Sequence, residues 1–553
     1  MRITRRKTAA GMAASVLAVT LTACSVGGDG DDGGGEAGAI DMESQVGYME
    51  DFEAGTTFKA TEPVSFSLLY RDHPNYPFKA DWPIIQHLEE NQNVTFDYEN
   101  VPLEDMAQRR SVLVSSGDAP DIMPVTYPGD EAQFVSGGAL LPISDYVQYM
   151  PNFQQKVEEW DLQEEIDAQK QEDGKFYMIP GIHEITIPGA YTVAIRKDLW
   201  EEAGLEHPKT WDELAEQLQV IKDENPDLKY PMTDRWSTNG PIEATISAAA
   251  PNFGTVAGWG YVLGLQWNQD EGVYEYAGGS DEYKTLVEYF AGLVEDGLLD
   301  PEAVTQEDEQ AEQKFASGQA AAIGTNDQVI LEYRKAFDEI GDKDSEIEMI
   351  TVPGGPAGDY VPGGSRRESG LMFAAGAAEQ EDFLAMLQYV DWLYYSDEGM
   401  EFAKWGVEGE TFEREGDKRV LKDDVTWGAL NEGAPKLLNA DFGYYNGVFS
   451  LAHGSSEDLD LSMRSEESIK YIEDMNATKE ELEIPPAVAY DEMEQEQAGL
   501  QQTTLQDMVF QATAQFILGQ RSLDEWDAYV AELEGAGMQE YVDRANSAAG
   551  VTE

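Results

Sequence analysis

Cysteine is almost absent from this chain of 553 residues, which carries a single Cys at position 24. An intramolecular disulfide is therefore excluded. Histidine is also scarce, since there are five, and no two have the i, i+4 spacing of metal ligands on a helix. The sequence also lacks the GxSxG motif of serine hydrolases and the GxxxxGK[ST] loop that binds phosphates. We therefore expect no metal and no cofactor, and paired carboxylates remain as the one catalytic option.

Basic residues are few as well. The chain has 36 Lys and Arg against 107 Asp and Glu, which gives a formal charge of −71. Such a field repels nucleic acid, and the basic patch of a nucleic-acid binder is missing. The acids are spread along the whole chain, which is typical of a solvated surface suited to high salt rather than of a functional cluster. Composition leaves open whether salt or alkali explains the acidity.

The first 24 residues have the arrangement of an export signal. Four basic residues within positions 2–7 precede an apolar run at 12–21, which is too short to span a bilayer. The run ends in LTAC (21–24), which resembles a bacterial lipobox, where the cysteine receives a diacyl (palmitate) anchor. We predict a signal peptide at 1–23 and an extracellular lipoprotein anchored through Cys24. The alternative is an ordinary signal peptide with a stray cysteine.

A flexible tether is predicted after the anchor, at 24–61. Its first part, SVGGDGDDGGGEAG (25–38), has too few apolar residues to repay the entropy of ordering. Gly28, Gly30 and Gly33 match the dinucleotide-binding pattern GxGxxG, but no strand precedes them and no helix follows. We regard the match as accidental.

The segment after the tether alternates between strand and helix patterns. Apolar residues alternate at 64–70 as in a half-buried strand, a helical stretch follows at 82–88, and a second strand is indicated at 94–101. Another helical segment ends at Gly117 and Pro120, and a third short strand begins near Ile122. This alternation predicts an α/β sheet with ligands at the carboxyl ends of its strands.

The second half is richer in helix patterns. Thr210 and Glu213 form a capping box before an apolar stripe, and Ser522 and Glu525 form another. Further stripes at 283–294 and 382–395 indicate amphipathic helices. These stripes predict core rather than binding sites.

Several short segments, in this order, resemble the extracellular solute-binding proteins of ABC importers, in the class that includes maltose-binding protein. In the first half they are SSGDAPDIM (115–123), GALLPISDY (138–146), DGKFYMIP (173–180) and AIRKDLWEEAGLEHPKTWDEL (194–214). Farther on, three more are similar to the branch of long Gram-positive lipoproteins related to alginate-oligosaccharide-binding proteins: LVEDGLLDPE (293–302), FASGQAAAIG (315–324) and WLYYSDEGMEFAKWGVEGETFE (392–413). The resemblance covers nearly all of residues 62–548.

This resemblance implies an α/β, two-lobed periplasmic-binding-protein-like fold of type II, whose hinge closes on a solute. By position, we expect the chain to cross between the lobes at three places, namely 183–191, 322–326 and 365–372. The predicted domains are lobe 1 at 62–186 with 325–368, and lobe 2 at 187–324 with the helix-rich 369–553. The resemblance also implies a monomer that meets the permease subunits of an ABC transporter and touches the membrane only through its lipid.

In the branch that this chain resembles, many members carry a calcium loop after the capping-box helix. Asp223, Asn225 and Asp227 have a similar spacing here, but Leu228 stands where such a loop turns on glycine, and Pro231 follows. The prediction is therefore that this chain has no metal site.

Candidate ligand contacts come from loops, because sugars are held by aromatic faces and by planar polar groups. Each aromatic residue could equally be an ordinary core residue, and the arginine could equally be a surface partner of nearby acids. The candidates are Trp82, Tyr127, His183, Glu184, Arg235, Trp236, Asn326, Arg366, Trp405, Tyr444 and Tyr445.

Three functions are compatible with these features. The leading prediction is a lipid-anchored receptor that captures an oligosaccharide and hands it to membrane permeases without covalent chemistry. A receptor for a non-sugar solute such as a peptide is the second. The third is a secreted carbohydrate-active enzyme that uses two carboxylates.

Overall fold

The computed structural model describes residues 38–551, apart from short gaps at 172, 187–190, 238–239, 270, 363–365, 417, 451–453, 484, 487, 489 and 491. Residues from 40 onward form one compact unit. The predicted signal peptide at 1–23, Cys24 and the glycine-rich start of the tether lie outside the described residues.

Seventeen strands are assigned in the described part of the chain. In chain order they are β1 (Val64–Asp72), β2 (Val94–Pro102), β3 (Ile122–Thr126), β4 (Met178–His183), β5 (Thr192–Arg196), β6 (Leu265–Asn268), β7 (Val273–Tyr276), β8 (Ala322–Thr325), β9 (Ile347–Met349), β10 (Tyr360–Val361), β11 (Arg367–Phe373), β12 (Phe412–Glu415), β13 (Lys418–Leu421), β14 (Val425–Thr426), β15 (Lys436–Leu437), β16 (Gly454–Ser455) and β17 (Glu480–Glu481).

Nineteen α-helices are assigned in the same residues. They are α1 (Pro83–Gln92), α2 (Met106–Ser116), α3 (Ala132–Val135), α4 (Pro151–Glu159), α5 (Gln163–Asp167), α6 (Lys197–Glu202), α7 (Trp211–Glu224), α8 (Glu243–Ala249), α9 (Asp281–Glu295), α10 (Asp308–Ala316), α11 (Val329–Ile340), α12 (Phe383–Tyr395), α13 (Asp397–Trp405), α14 (Leu438–Phe442), α15 (Glu457–Ser462), α16 (Glu466–Thr478), α17 (Glu492–Ile517), α18 (Trp526–Gly535) and α19 (Met538–Ala548).

The larger sheet has six strands in the order β16-β4-β11-β3-β1-β2. β1 is parallel to β2 and β3, and β16 is parallel to β4, whereas β11 is antiparallel to both of its neighbours. The three strands predicted at 64–70, 94–101 and near Ile122 are all confirmed in this sheet.

Both faces of the larger sheet are covered. Successive side chains of a strand point to opposite faces. Leu68 and Ile122 therefore pack in one core, while the adjacent Leu69 and Met123 pack in another. Helix α12 lies in the first of these cores and is buried on all sides. The amphipathic stripe predicted at 382–395 thus understates how deeply this helix is buried.

The second lobe is built on a smaller antiparallel sheet in the order β8-β5-β9. Helices α7 and α9 contribute Leu214, Leu218 and Phe290 to the core of this lobe. Residues of α16 to α19 join the same core, among them Tyr471 and Tyr541. The predicted two-lobed α/β fold with a helix-rich C-terminal part is therefore confirmed.

The chain is shared between the two lobes as follows. The lobe 1 core takes residues from Phe58 to Ile182 and again from Leu371 to Met463. The lobe 2 core takes residues from Val193 to Val361 and again from Tyr471 to Ala545. The chain therefore crosses between the lobes three times, after His183, after Val361 and after Met463.

This division corrects the predicted domain boundaries. Residues 325–368 were expected in lobe 1, but Tyr333 of α11 packs in the lobe 2 core, and β8 pairs with β5 at the expected crossing of 322–326. Residues 369–553 were expected in lobe 2, but β11 pairs with β3 and β4 of lobe 1. A crossing does lie at the expected 365–372, since Val361 packs in lobe 2 and Leu371 in lobe 1, but the chain returns to lobe 1 there, and a further crossing follows Met463.

The predicted tether is also too long. Phe58 and Ala60 are fully buried in the lobe 1 core, and Ile40 and Phe52 pack against it. The backbone N–H of Val46 donates to the carbonyl of Glu381 at 2.7 Å. The ordered part of lobe 1 therefore begins at about residue 40. No helix in the described residues has the length and apolar character needed to cross a bilayer.

Candidate functional site

One edge of the larger sheet collects the ends of its strands. The carboxyl ends of β1 and β3 share this edge because the two strands are parallel. Antiparallel β11 begins there, with Gly370 opposite Thr126, and β4 ends there, with Arg367 opposite Ile182. The three crossings leave or reach lobe 1 at this edge, so it faces lobe 2.

The corresponding edge of lobe 2 is formed by the start of β5 and the end of β8, where Thr192 lies opposite Thr325. Tyr191 precedes β5, and Asn326 follows β8. Beside them, Thr233 donates its N–H to Ala322, which aligns the loop that leads to Trp236 with β8. The candidate site is the cleft between these two edges.

An aromatic trio occupies the lobe 2 side of the cleft. The ring of Tyr191 lies 5.4 Å from Trp236 and 4.8 Å from Trp259, edge to face in both cases. Trp236 and Trp259 lie 5.5 Å apart, and 38% of Trp259 is exposed. Mutually packed rings with one accessible member form a surface on which the C–H face of a sugar can stack.

The backbone around the trio fixes its position. Gly258 has φ +53°, and a Cβ there would lie 2.1 Å from the carbonyl oxygen of Glu243. Only glycine therefore lets the loop that bears Trp259 rest directly on α8. Trp236 itself has φ +62°, a left-handed conformation that is uncommon for a bulky residue.

Arg235 contacts the trio through Trp236. Its guanidinium lies 4.8 Å from the Trp236 ring and 3.1 Å from the carboxylate of Asp308. Asp308 also accepts the N–H of Trp236 at 2.9 Å. Arg235 is buried and paired with Asp308, so it holds Trp236 in place.

Lobe 1 contributes aromatic side chains of its own. The rings of His73 and Tyr76, just after β1, are stacked at 4.5 Å and 4°. Tyr127, just after β3, is 51% exposed. The buried Val125 shortly before it has φ +56°, a strained conformation for a β-branched residue. This kink ends β3 and sets the direction in which Tyr127 leaves the sheet.

Three sequence candidates are core residues instead. Trp82, Trp405 and Tyr444 are each 1% exposed and belong to the lobe 1 core. The indole N–H of Trp82 donates to Ala440 at 3.0 Å, and that of Trp405 donates to Ser462 at 3.0 Å. Their flat faces are covered, so the expectation that they stack on a sugar in the cleft is wrong. Trp405 borders a separate cavity of about 740 Å³ behind α15.

Two further candidates have structural partners. Arg366 donates to the carboxylate of Glu165 at 2.8 Å and to the carbonyl of Trp160 at 2.6 Å, so it is not the free guanidinium expected to pair a uronic acid. Asn326 accepts the N–H groups of Gln328 and Val329 at 3.0 and 2.8 Å and thereby caps α11.

The remaining candidates lie at the hinge. Nδ1 of His183 is 2.8 Å from Asp460, and Glu184 accepts the N–H of Glu457 at 2.9 Å. Tyr445 packs on Trp427, with ring centroids 4.4 Å apart, and its ring lies 5.3 Å from the ammonium of Lys404. Of the eleven candidates, the structure therefore brings Tyr127 and Trp236 to the open faces of the cleft.

Sequence reasoning missed Tyr191, Trp259, His73 and Tyr76. Trp259 sits in a Gly-Trp-Gly tripeptide (258–260), which is a usable signal because glycines on both sides indicate a loop. Tyr191 ends the predicted crossing at 183–191, and its place at the head of β5 becomes evident only from the pairing of Thr192 with Thr325.

The segment at 223–227 has a spacing of polar residues similar to that of a calcium loop. Asp223 accepts from the side chain of Gln219 at 2.8 Å, and the side chain of Asn225 donates to Ile221 at 2.9 Å. Within the residues that the structure describes, no group of three or more His, Cys, Asp or Glu side chains could hold a metal ion.

Comparison with known proteins agrees with this architecture. The family model of the bacterial extracellular solute-binding proteins matches residues 75–400. The chain belongs to this family. A curated relative is the fructooligosaccharide ABC transporter substrate-binding protein FusA of Streptococcus pneumoniae, 24% identical over 88% of this chain and 90% of that protein. Another is the polygalacturonan/rhamnogalacturonan-binding protein YtcQ of Bacillus subtilis, 21% identical over 83% and 86% of the two chains.

Solved structures of similar fold include a solute-binding protein of Bifidobacterium longum infantis, described as HMO-binding and associated with an ABC transporter. It has a TM-score of 0.70 at 20% identity, over 89% of this chain and 99% of that one. The alginate-binding protein AlgQ2 has a TM-score of 0.65 at 17% identity, over 90% and 100%. Members of this solute-binding family thus share the two-lobed fold described above.

Proposed function

We propose that the protein is the substrate-binding receptor of an ABC transporter and captures an oligosaccharide between its lobes. The observation that carries the proposal is the aromatic trio of Tyr191, Trp236 and Trp259 at the lobe 2 edge, which faces the edge that bears Tyr127. Aromatic faces on both sides of a cleft suit a chain of sugar rings. The saccharide ligands named for the relatives support the same class.

The contacts of the acidic residues at the lobe 1 edge favour a binding protein over an enzyme. Glu131 is buried and accepts the N–H of Gly129 at 2.9 Å. Asp460 and Glu368 both face the imidazole of His183. These carboxylates have protein partners, whereas a glycosidase needs one as an acid and one as a base or nucleophile at the scissile bond. We therefore propose a receptor and not an enzyme.

A thermal-shift screen followed by product analysis tests this function. The protein is heated with oligosaccharides, monosaccharides and short peptides, and a bound ligand raises Tm in proportion to RT ln(1 + [L]/Kd). We expect an oligosaccharide to raise Tm and to be recovered intact after incubation. Cleaved products would contradict the receptor, and a shift with peptides alone would assign the protein to the second class of solute.

The lobe 1 face is tested by Tyr127→Ala. Because Tyr127 is half exposed and stands at the strand end, we expect the loss of one stacking face to weaken oligosaccharide binding by about 1 kcal/mol, roughly fivefold in Kd. Tm of the ligand-free protein should stay within about one degree. Tyr230→Ala is the control and should bind normally, because Tyr230 lies just before Met232, which pairs with Ala322 at the end of β8 remote from the cleft. Equal affinities of the Tyr127 and Tyr230 variants would remove Tyr127 from the site.

We further propose that Cys24 carries the lipid that holds the receptor at the outer face of the membrane as a monomer beside its permease. The apolar run and the LTAC sequence support this. Cys24→Ala should move the protein from the membrane fraction to the medium, as measured by immunoblotting of both. Continued retention of the variant in membranes would show that another feature anchors it.

A further inference from the structure

His183 lies where all three connections between the lobes meet. It is the last residue of β4, directly before the first crossing. Glu368 is the second residue of β11, directly after the second crossing. Asp460 lies on α15, shortly before the third crossing. The imidazole contacts both acids, with Nδ1 2.8 Å from Asp460 and Nε2 3.8 Å from Glu368.

The backbones of the three connections are bonded at the same place. The N–H of His183 donates to the carbonyl of Arg366 at 2.7 Å, and the N–H of Glu184 donates to Ser455 at 3.0 Å. The side chain of His183 thus adds a contact to a set of backbone hydrogen bonds that already joins β4, β11 and the segment around β16. The third connection continues into lobe 2 through Arg464, whose guanidinium lies 2.6 Å from Asp327.

A neutral imidazole cannot satisfy both acids. It has one N–H, so one ring nitrogen would point a lone pair at a carboxylate, whereas the protonated ring donates from both nitrogens. The other charged group that acts on the ring is the buried Lys404 of α13, whose ammonium favours the neutral form. The two carboxylates outweigh it.

We propose that protonated His183 is the positioning residue of the hinge, and that it ties the three crossing segments together so that the lobes close about one defined pivot. This inference rests on the proposed receptor function only for its effect on affinity. A preorganised pivot lowers the conformational cost of closing on the ligand, so affinity is highest while the imidazole is charged.

The direction of the pH dependence follows from the charges. Burial lowers the pKa of His183, but the hydrogen bond to Asp460 and the nearby negative charge of Glu368 outweigh it, and the net pKa lies above the ordinary value. Burial raises the pKa values of Glu368 and Asp460, but His183, together with the ammonium of Lys404, holds both below their ordinary values. The network is therefore intact below the ordinary histidine pKa and is lost as pH rises through the raised pKa of His183.

Energy transfer between two dyes measures the hinge without any ligand. In the full chain with Cys24→Ala, the dyes are placed at Val112→Cys on α2 and Ile340→Cys on α11, which are 53% and 60% exposed on different lobes. We expect a narrow distribution of interlobe distances at about pH 6 and a broad one at about pH 9.5. With His183→Gln added, the distribution should be broad at both pH values.

His207→Gln is the matched control, because His207 also faces a carboxylate, Glu348 at 3.6 Å, but lies on the surface of lobe 2. It should keep the pH response. If His183→Gln does not fold, Asp460→Asn removes the negative charge from the same contact with little change of shape. A distribution that is independent of pH, or a response that persists in the His183 variant, would overturn the proposal.

Affinity is measured in parallel by titration calorimetry with the oligosaccharide found in the screen. The Kd of the unaltered protein should rise about fivefold or more from the lower to the higher of these pH values. The Kd of His183→Gln at the lower pH should equal that of the unaltered protein at the higher pH. A Kd that does not change with pH would overturn the effect on binding. If no oligosaccharide binds at about pH 6, the receptor function fails, and the dye distances alone decide the role of His183.

Discussion

Trp259→Ala should weaken oligosaccharide binding by about 2 kcal/mol, close to thirtyfold in Kd, while Tm of the free protein stays nearly unchanged. Trp259 is the accessible ring of the aromatic trio, 38% exposed at the lobe 2 edge of the cleft. Truncation removes a stacking face and also exposes the edges of Tyr191 and Trp236, against which Trp259 packs. The measurement is calorimetric titration with the oligosaccharide that raises Tm.

Trp267→Ala is the matched control for this change. Trp267 is a partly buried tryptophan of the same lobe, on β6, and its ring packs on Tyr274 at 5.0 Å. Its loss should lower Tm but leave Kd unchanged. An unchanged Kd in the Trp259 variant would exclude the trio as the binding surface. A large fall in the Tm of the Trp259 variant would mean that the trio is part of the core.

Asp391→Ala should lower the free energy of unfolding by about 3 kcal/mol. Asp391 of α12 is fully buried, and its carboxylate accepts the N–H groups of Asn152 and Phe153 at 2.9 and 2.8 Å. It also accepts the side-chain amide of Asn152 at 2.7 Å. These donors belong to the first turn of α4, so the variant leaves a helix N-terminus buried without an acceptor.

Chemical denaturation of the protein measures this loss of unfolding free energy. Burial raises the pKa of Asp391 to about 7, although the donors of Phe153 and Asn152 oppose the shift, so the comparison is made well above neutral pH. Asp51→Ala, on the exposed surface of the same lobe, is the control and should unfold as the unaltered protein does. A loss below about 1 kcal/mol for Asp391→Ala would show that water replaces the missing acceptor.

Local features of the fold were predictable from the sequence. The alternation of Val64, Phe66 and Leu68 predicts β1, because one face of that strand is buried. The capping residue Thr210 accepts the N–H of Glu213 at 3.1 Å, as predicted. The carboxylate of Glu213 instead accepts the N–H of Lys209 at 2.7 Å, so half of the predicted capping box differs.

The division of the chain between lobes was not predictable in this way. Leu371 of β11 pairs with Ile179 of β4, a contact between residues far apart in sequence. No local pattern distinguishes it from a pairing with β8, which precedes β11 in the chain. The predicted crossing at 322–326 therefore failed, while the crossing after His183 agrees with the structure.

The residues of the candidate site were also not predictable from local sequence alone. Trp82 and Trp236 both lie in loops with polar neighbours, and the sequence assigned both to the ligand. Trp82 is buried because Gly443 approaches its ring, whereas Trp236 stays near the cleft because Arg235 and Asp308 hold its loop in place. Gly443 and Asp308 lie far in sequence from the tryptophans that they contact, so aromatic residues in loops could be proposed from the sequence but not ranked.

A crystal structure of the protein with its oligosaccharide tests the central claim most directly. The account predicts density for sugar rings between the lobes, with one ring against Trp259 and the ligand in reach of Tyr127 across the cleft. Ligand bound elsewhere, for example in the cavity behind α15 that borders Trp405, would contradict it.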